Sequence, residues 1–210
     1  MNIEKIILDG IGVQLEPLST SHAKGLGEVI ADGELWKNPL TFVPHPDDLD
    51  VFFNSAETAF NQRKELAFAT INKQDNTLVG STRFRCIDSQ HKRVEIGFTF
   101  IARSKQRTHI NTEAKYLMLT HAFEQWHCNR VELLTDVLNA QSRKAIARIG
   151  ATEEGILRSH MIMRDGRVRD SVIFSITQGD WPEVKRALWL KIKPPSVWQL
   201  LQANGCSQDC

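Results

Sequence analysis

Residues 93–126 decide the fold, because RVEIGFTFI (93–101), ARSKQRTH (102–109) and INTEAKYLMLTHAFEQW (110–126) follow one another directly. The first segment is mostly β-branched, aromatic or aliphatic, which predicts a strand covered on both faces. The third has apolar residues at helical spacing, and Asn111 is its candidate N-cap. The basic segment therefore joins a strand end to a helix N-terminus, an arrangement that suits a ligand carrying phosphates.

The basic segment has two interpretations. Arg103, Lys105, Arg107 and His109 place four basic side chains within seven residues. From charge alone, a solvated surface loop is the simpler interpretation. The position of the segment before a helix N-terminus favours the second interpretation, a loop that binds phosphate groups.

The composition predicts an ordinary globular protein. The chain has 210 residues, of which 41% are hydrophobic and 24% charged, and its net charge of +1 gives no field that would draw it to nucleic acid or an acidic membrane. Residues 1–10 lack the apolar core of a signal peptide, and no run approaches the ~20 apolar residues of a membrane span. We therefore expect a cytoplasmic protein with reduced thiols. Cys206 and Cys210 have no second pair of ligands nearby, so we predict no metal site.

The spacing of strands predicts one mixed sheet. Residues 66–72, 78–87 and 93–101 are joined by short polar turns, which indicates an antiparallel meander. Residues 130–137 form a further strand, and its connection through a helix predicts parallel pairing with 93–101. A hairpin over 152–177 adds two antiparallel strands through the turn at Asp165-Gly166.

Helices flank this sheet in the same prediction. Apolar periodicity and capping residues place them at 22–31, 47–64, 110–126, 139–149 and after Asp180. Gly150 follows the fourth helix as its natural C-terminal stop. We predict a single α/β domain over residues 1–192, with a mixed, mostly antiparallel sheet, and a tail over 193–210.

These segments resemble the GNAT acyl-CoA N-acyltransferases, in particular the RimJ/RimL-like branch named for ribosomal-protein N-acetylation. The resemblance covers nearly everything from Val13 to about Trp189. It is carried by VEIGFTFI (94–101), INTEAKYLMLTHAFEQW (110–126), NRVELLTDVLNAQSRKAIARIGATEEGILR (129–158) and DGRVRDSVIFSI (165–176), with DGELW (32–36) and DWPEVK (180–185) in support.

The resemblance implies acetyl-CoA as cosubstrate and a central sheet that splays open between the strands at 95–101 and 130–137. The pantetheine arm would lie in this opening and pair with the backbone of Phe98, Thr99, Phe100 and Ile101. The pyrophosphate would lie on Gln106, Arg107, Thr108, His109, Ile110, Asn111 and Thr112. Asn139 would cap its helix and contact the cofactor arm, whereas Arg143 would contact a phosphate or be a solvated helix residue.

One segment departs from the family pattern. GNAT proteins usually read Gln/Arg-x-x-Gly-x-Gly/Ala at the pyrophosphate loop, whereas residues 106–111 read QRTHIN, with His109 and Asn111 at the two small-residue positions. A glycine allows close backbone approach to a ligand. Lys105, Arg107 and His109 could offset its loss by direct charge.

The resemblance implies acetyl transfer to a primary amine by direct attack on the thioester. Glu95 is the candidate base, acting directly or through a water, and its alternative role is an ion pair with Arg83 or Arg85. Ser142 is the candidate for protonating, or hydrogen bonding to, the departing thiolate. Its alternative role is that of an ordinary residue in the first turn of a helix.

The acceptor stays open between a protein N-terminus and a small-molecule amine. Trp36 and Arg83 are the candidate acceptor-binding residues, and Trp36 has the alternative role of a hydrophobic contact. Family habit and the aromatic-rich last helix suggest a homodimer. The glycine-poor loop leaves a second function open, that of an acyl-CoA-binding or regulatory protein with little or no catalysis.

Overall fold

An eight-stranded sheet organises residues 1–192, which are the part of the chain described by the computed structural model. Its strands are β1 (Leu8–Asp9), β2 (Val13–Pro17), β3 (Leu66–Asn72), β4 (Thr77–Asp88), β5 (Arg93–Ile101), β6 (Arg130–Asp136), β7 (Thr152–Ile162) and β8 (Val168–Thr177). The helices are α1 (Ala23–Ala31), α2 (Leu49–Asn61), α3 (Ile110–Thr120), α4 (Ala140–Arg148) and α5 (Trp181–Ile192). The strand order is β1-β2-β3-β4-β5-β6-β8-β7.

The pairing of these strands confirms the predicted mixed sheet. β3, β4 and β5 form the antiparallel meander, and β7 and β8 form the hairpin. β5 and β6 pair in parallel, as their connection through α3 required. The two-residue strand β1 was not predicted, because so short a segment carries no alternation signal.

Two apolar cores cover opposite faces of the sheet. Successive side chains of a strand point to opposite faces, and along β3 they enter the two cores in turn. Leu66 and Phe68 join the core that contains residues of α3 and α5. Ala67 and Ala69 join the second core, with residues of α1 and α2. The sheet is therefore buried on both sides at its centre, which explains the continuous apolar run that identified β3.

The parallel pair β5–β6 separates soon after it begins. The two strands pair at only three positions, the last of which joins Glu95 to Glu132, although β5 continues to Ile101 and β6 to Asp136. On its other side β5 has a register shift against β4 near Ser81, where Phe98 adopts a φ of +46°. Past Glu95 and Glu132 the facing edges of these two strands therefore have no ladder partners.

Three local predictions differ from the structure or fall outside it. Asn111 is not the N-cap of α3, because the chain is already helical at His109, and the helix starts at Ile110. The last predicted turn of that helix is a separate π-helical turn over His121–Gln125. Cys206 and Cys210, with the rest of the 193–210 tail, lie outside the described residues.

None of the helices within residues 1–192 has both the length and the apolar composition that a membrane crossing requires.

Candidate active site

A cleft opens where β5 and β6 separate, and its cavity volume is about 1190 Å³. The two strands, α4 and the loop before α3 line one part of it, while residues 33–43 and the β7–β8 hairpin line the other. Ligand pockets commonly measure about 300–1,000 Å³, so this cleft has room for a long cofactor arm and a second substrate.

The structure brings many of the predicted site residues to this cleft. Those that line it are Glu95, Phe98, Thr99, Phe100, Ile101, Gln106, Arg107, Thr108, Asn111, Asn139 and Ser142. Those that do not are Trp36, Arg83, His109, Ile110, Thr112 and Arg143. The functional roles of both sets stay predictions, since position alone does not assign a role.

Glu95 lies at the apex of the separation, as the last residue of β5 that pairs with β6. Its side chain is 8% exposed, and its Oε1 accepts a hydrogen bond from Arg85 Nη1 at 3.2 Å. Burial raises the pKa of this carboxyl, while the charge of Arg85 and a hydrogen bond from the Cys86 thiol oppose the shift. A Cβ at residue 97 would lie 2.7 Å from Glu95 Oε1, so Gly97 makes room for the carboxylate in this position.

Both interpretations of Glu95 are compatible with this geometry. The ion pair with Arg85 is present, and the carboxyl also faces the cleft. A raised pKa brings a carboxylate closer to that of a useful general base near neutral pH. The ion pair is therefore confirmed, whereas the role of Glu95 as a base stays a prediction.

Arg83 is held behind the cleft instead of lining it. Its Nη1 donates to Glu65 at 2.8 Å, and its guanidinium lies 4.8 Å from the Phe52 ring centroid and 4.9 Å from that of Phe98. Arg85, two residues along β4, lines the cleft and stacks 4.2 Å from the Phe98 centroid. The arginine that lines the cleft beside Glu95 is therefore Arg85.

The start of α4 presents Ser142 to the cleft. The Asn139 side chain accepts a hydrogen bond from Ser142 N at 2.9 Å, which confirms Asn139 as the N-cap. Arg143 points elsewhere, because it contacts Glu153 at 3.2 Å and the Val137 carbonyl at 3.4 Å.

The glycine-poor loop presents a positively charged side chain to the cleft, where a glycine-rich loop would present backbone N–H groups. Arg107 has a φ of +62°, lines the cleft and forms no ion pair with any residue in 1–192. Gln106 Nε2 donates to the Ile101 carbonyl at 3.0 Å, which ties the loop to the end of β5. Lys105 Nζ forms an ion pair with Asp75 Oδ2 at 3.0 Å. Of the three basic residues expected to replace the glycine, Arg107 thus lines the cleft without an ion pair, whereas Lys105 lines it while paired with Asp75.

Three other residues near the start of α3 do not line the cleft. The His109 imidazole lies against Gly12, where a Cβ would be 2.8 Å from its Nε2. Ile110 is buried in the first core. Thr112 Oγ1 accepts from Arg148 Nη2 at 3.4 Å. His109 therefore does not supply the charge that the sequence suggested, because its side chain points toward the N-terminal segment.

Trp36 packs against the second core, with its ring 5.5 Å from that of His45 in an edge-on contact. Its carbonyl accepts from Arg164 of the β7–β8 turn at 3.2 Å. Leu35 and Lys37 on either side line the cleft instead. This placement fits the alternative role of Trp36, a hydrophobic contact that supports the loop.

Sequence reasoning missed Lys115, which lines the cleft from α3 and is 5% exposed. Its Nζ donates to Thr99 Oγ1 at 2.7 Å and to Thr82 Oγ1 at 3.2 Å. Burial lowers the pKa of Lys115 to about 7. The sequence feature that could have identified Lys115 is its helical spacing from Met118 and Trp126, which places this lysine on the buried face of α3.

The buried lysine predicts a specific pH dependence of stability. The folded-state pKa of about 7 lies below the ordinary 10.5, so between these values the unfolded chain binds one more proton than the folded chain. The free energy of unfolding should therefore rise with pH in this range, by about 2 kcal/mol between pH 7 and pH 9 from this group alone. In urea unfolding at the two pH values, Lys115→Met should lose that increment relative to the wild type.

The exposed Lys64 offers the matched control, and Lys64→Met should keep the wild-type pH dependence. Comparing each variant with the wild type cancels the contributions of other titrating groups. An unchanged pH dependence in Lys115→Met would show that this lysine stays protonated in the folded chain.

Comparisons with known proteins identify what this chain is similar to. Residues 13–152 match the family described as "Acetyltransferase (GNAT) domain". The chain is 33% identical over 107 residues to the Bacillus subtilis (strain 168) protein named "Putative ribosomal N-acetyltransferase YdaF", a match that covers 51% of this chain and 57% of that protein. Matches to such curated relatives span 57–66% of the relatives' length.

Solved structures share the fold over most of the chain. A GCN5-related N-acetyltransferase from Brucella melitensis aligns with a TM-score of 0.81 at 28% identity, covering 91% of this chain and 87% of that one. Mycobacterium smegmatis RimJ, solved in complex with CoA-disulfide, aligns with a TM-score of 0.74 at 21% identity, covering 88% and 90%. The second alignment is a likeness of fold.

Proposed function

The chain belongs to the GNAT acetyltransferase family, and from this premise we propose that it transfers an acetyl group from acetyl-CoA to a primary amine. The observation that carries the proposal is the separation of β5 from β6 past Glu95 and Glu132, which leaves two backbone edges facing a cleft. Such edges offer amide and carbonyl groups to the amides of a pantetheine arm, as a neighbouring strand would.

The residues around the cleft fit the two ends of acetyl-CoA. Arg107 and the N-terminus of α3 supply positive charge for its phosphates. Ser142 lies at the start of α4 on the same cleft, where its hydroxyl could meet the sulfur. Glu95 lies at the apex of the separation, where the thioester end of the arm would stop.

The proposed reaction is one direct displacement. The amine nitrogen attacks the thioester carbonyl carbon, the C–N bond forms, and the C–S bond breaks with its electron pair leaving on sulfur. Glu95 takes the proton that the amine loses, and Ser142 donates a hydrogen bond or a proton to the departing thiolate. An α-amino group has a pKa of about 7.7–8.0, so part of it is already neutral near pH 7 and the base has little work to do. Holding the two substrates in contact then accounts for most of the required acceleration.

A protein N-terminus is one candidate acceptor. The name of the Bacillus subtilis relative, "Putative ribosomal N-acetyltransferase YdaF", supports a protein acceptor. A small-molecule amine stays open as an acceptor. The homodimer suggested by family habit also stays a prediction.

The proposal is tested with the purified chain, acetyl-CoA and a panel of acceptors. The panel holds peptides with free N-termini, the same peptides with blocked N-termini, and small primary amines. Release of free thiol, together with mass spectrometry of an acetylated acceptor, is the expected result. Binding of CoA in calorimetry without thiol release for any acceptor would instead support the alternative, an acyl-CoA-binding protein with little catalysis.

Ser142→Ala should lower kcat by about 10-fold, which corresponds to about 1.4 kcal/mol for one hydrogen bond to a developing thiolate. The substitution keeps the backbone N–H that Asn139 caps, so the free energy of unfolding should stay close to that of the wild type. Steady-state kinetics with a saturating acceptor measures the change, and Ser142→Thr should restore part of the activity. Full activity in Ser142→Ala would assign Ser142 to the helix alone.

A further inference from the structure

Arg169 occupies an unusual position in the cleft. It belongs to β8, two residues before Ser171, which pairs with the last residue of β6, Asp136. Its side chain therefore lies just beyond the end of β6 and lines the cleft. The residue as a whole is 6% exposed, and its Nε is fully buried.

The Arg169 guanidinium has no carboxylate partner among residues 1–192. It forms no ion pair and no hydrogen bond there, and its Nε is buried without a partner. The contact that it makes is with the Phe42 ring, at 5.8 Å from the centroid. A largely buried charge without a partner is unfavourable, so such a group calls for an explanation.

The arginines whose charges act on Arg169, Arg85 and Arg167, already have carboxylate partners. Arg83 pairs with Glu65 at 2.8 Å, and Arg85 pairs with Glu95 at 3.2 Å. Arg167 pairs with the buried Asp136. The carboxylates whose charges reach Arg169, those of Asp136 and Glu95, are therefore each engaged by another arginine, and one positive charge is left over.

The surroundings of Arg169 are those of an acceptor pocket. The Phe42 ring meets the Phe98 ring edge-on at 5.7 Å, so an apolar wall runs from Arg169 to Phe98 of β5. Glu95 is close enough for its charge to act on Arg169. An amine held beside Glu95 could thus carry a second group that reaches the arginine.

We infer that the acceptor of the proposed acetyl transfer carries a carboxylate as well as its amine, and that Arg169 binds this carboxylate. The inference rests on the proposed function for the identity of the reaction, and on the unpaired buried guanidinium for the charge of the acceptor. Arginine suits this task because its planar fork binds a carboxylate through two parallel hydrogen bonds. The carboxylate could belong to an acidic side chain near a peptide N-terminus or to a free amino acid.

Matched acceptor pairs test the inference. One pair is a peptide with glutamate at its second position against the same peptide with glutamine, and the other is a free amino acid against its amide. In the wild type, kcat/KM should favour the carboxylate member of at least one pair by about 10-fold or more, and the pair that shows it identifies the source of the carboxylate. Equal kcat/KM within both pairs would overturn the inference.

Arg169→Gln should remove this preference by lowering kcat/KM for carboxylate acceptors alone, and Arg169→Lys should keep part of it. Arg158→Gln, which removes an exposed arginine of β7 outside the cleft, is the matched control and should keep the wild-type preference. A uniform loss for all acceptors in Arg169→Gln would instead assign Arg169 to structure. A rise in KM for acetyl-CoA alone would assign it to the cofactor.

Calorimetry separates this inference from the proposed function, because acceptor binding requires no turnover. The same acceptor pairs are titrated into the wild type and Arg169→Gln in the presence of CoA. Arg169-dependent binding of the carboxylate member without thiol release would contradict the proposed reaction and support the site. Turnover with no preference for the carboxylate would support the reaction and overturn the site.

Discussion

Glu95→Gln is expected to lower kcat by about 10²–10⁴-fold, the usual contribution of a general base. Glutamine keeps the shape of the side chain and an oxygen that can accept from Arg85, but it cannot take up the proton that the amine loses. The affinity for acetyl-CoA should change little, because the proposed cofactor contacts lie on the backbone of β5 and on Arg107. Steady-state kinetics and CoA calorimetry on the same preparation measure both quantities.

The pH profile gives this prediction a second readout. Burial raises the pKa of Glu95 above its ordinary 4.5, and the base acts only when deprotonated. In the wild type, kcat/KM should therefore fall as the pH falls through this raised pKa. The ratio of kcat/KM in the wild type to kcat/KM in Glu95→Gln should fall over the same pH range. Ionisation of the acceptor amine cancels in this ratio.

A control and a contrary outcome complete the test. Glu154→Gln removes a carboxylate of β7 outside the cleft, where it pairs with Arg130, and should keep the wild-type kcat. Full kcat in Glu95→Gln would mean that Glu95 serves only as the ion-pair partner of Arg85. The amine would then lose its proton to water or to another group.

Ala145→Trp is expected to weaken CoA binding by at least about 100-fold, or about 2.7 kcal/mol. Ala145 lies on α4 and lines the cleft near Ser142. An indole there would occupy part of the cleft in which we propose that the pantetheine arm lies. Calorimetry with CoA measures the loss directly and needs no knowledge of the acceptor.

Ala147 provides the matched control on the same helix. It is exposed and lies outside the cleft lining, so Ala147→Trp should bind CoA as the wild type does. Thermal unfolding of both variants checks that the fold is retained. Wild-type affinity in a folded Ala145→Trp would place the cofactor elsewhere and remove the main support for the proposed function.

The architecture was largely predictable from local patterns. Short polar turns required antiparallel neighbours at β3, β4 and β5, and the crossover through α3 required a parallel pair with β6. Asn139 and Gly150 marked the ends of α4, and Gly150 has the expected positive φ of +94°. Such signals succeed because they depend on neighbours within a few residues along the chain.

The site was predictable in part. Asn111 looked like a cap from residue type alone, but the chain turned helical at His109. Arg83 and Arg85 point to the same face of β4, so alternation could not choose between them as partners of Glu95. The register of β4 against β5 selects Arg85 as the partner, because Arg85 lies opposite Glu95 and Arg83 lies opposite Gly97.

The amino-acid sequence by itself determined the order of strands and helices along the chain and the parallel pair, and its resemblance to the GNAT family implied the place where the cleft would open. Tertiary structure alone decided which side chains share that cleft and which charges find partners. It left Arg107 and Arg169 unpaired there, and it buried Lys115 beneath Thr99. The reason is physical: secondary structure follows from periodicity and capping along the chain, whereas burial and charge pairing depend on residues that meet only after the sheet has assembled.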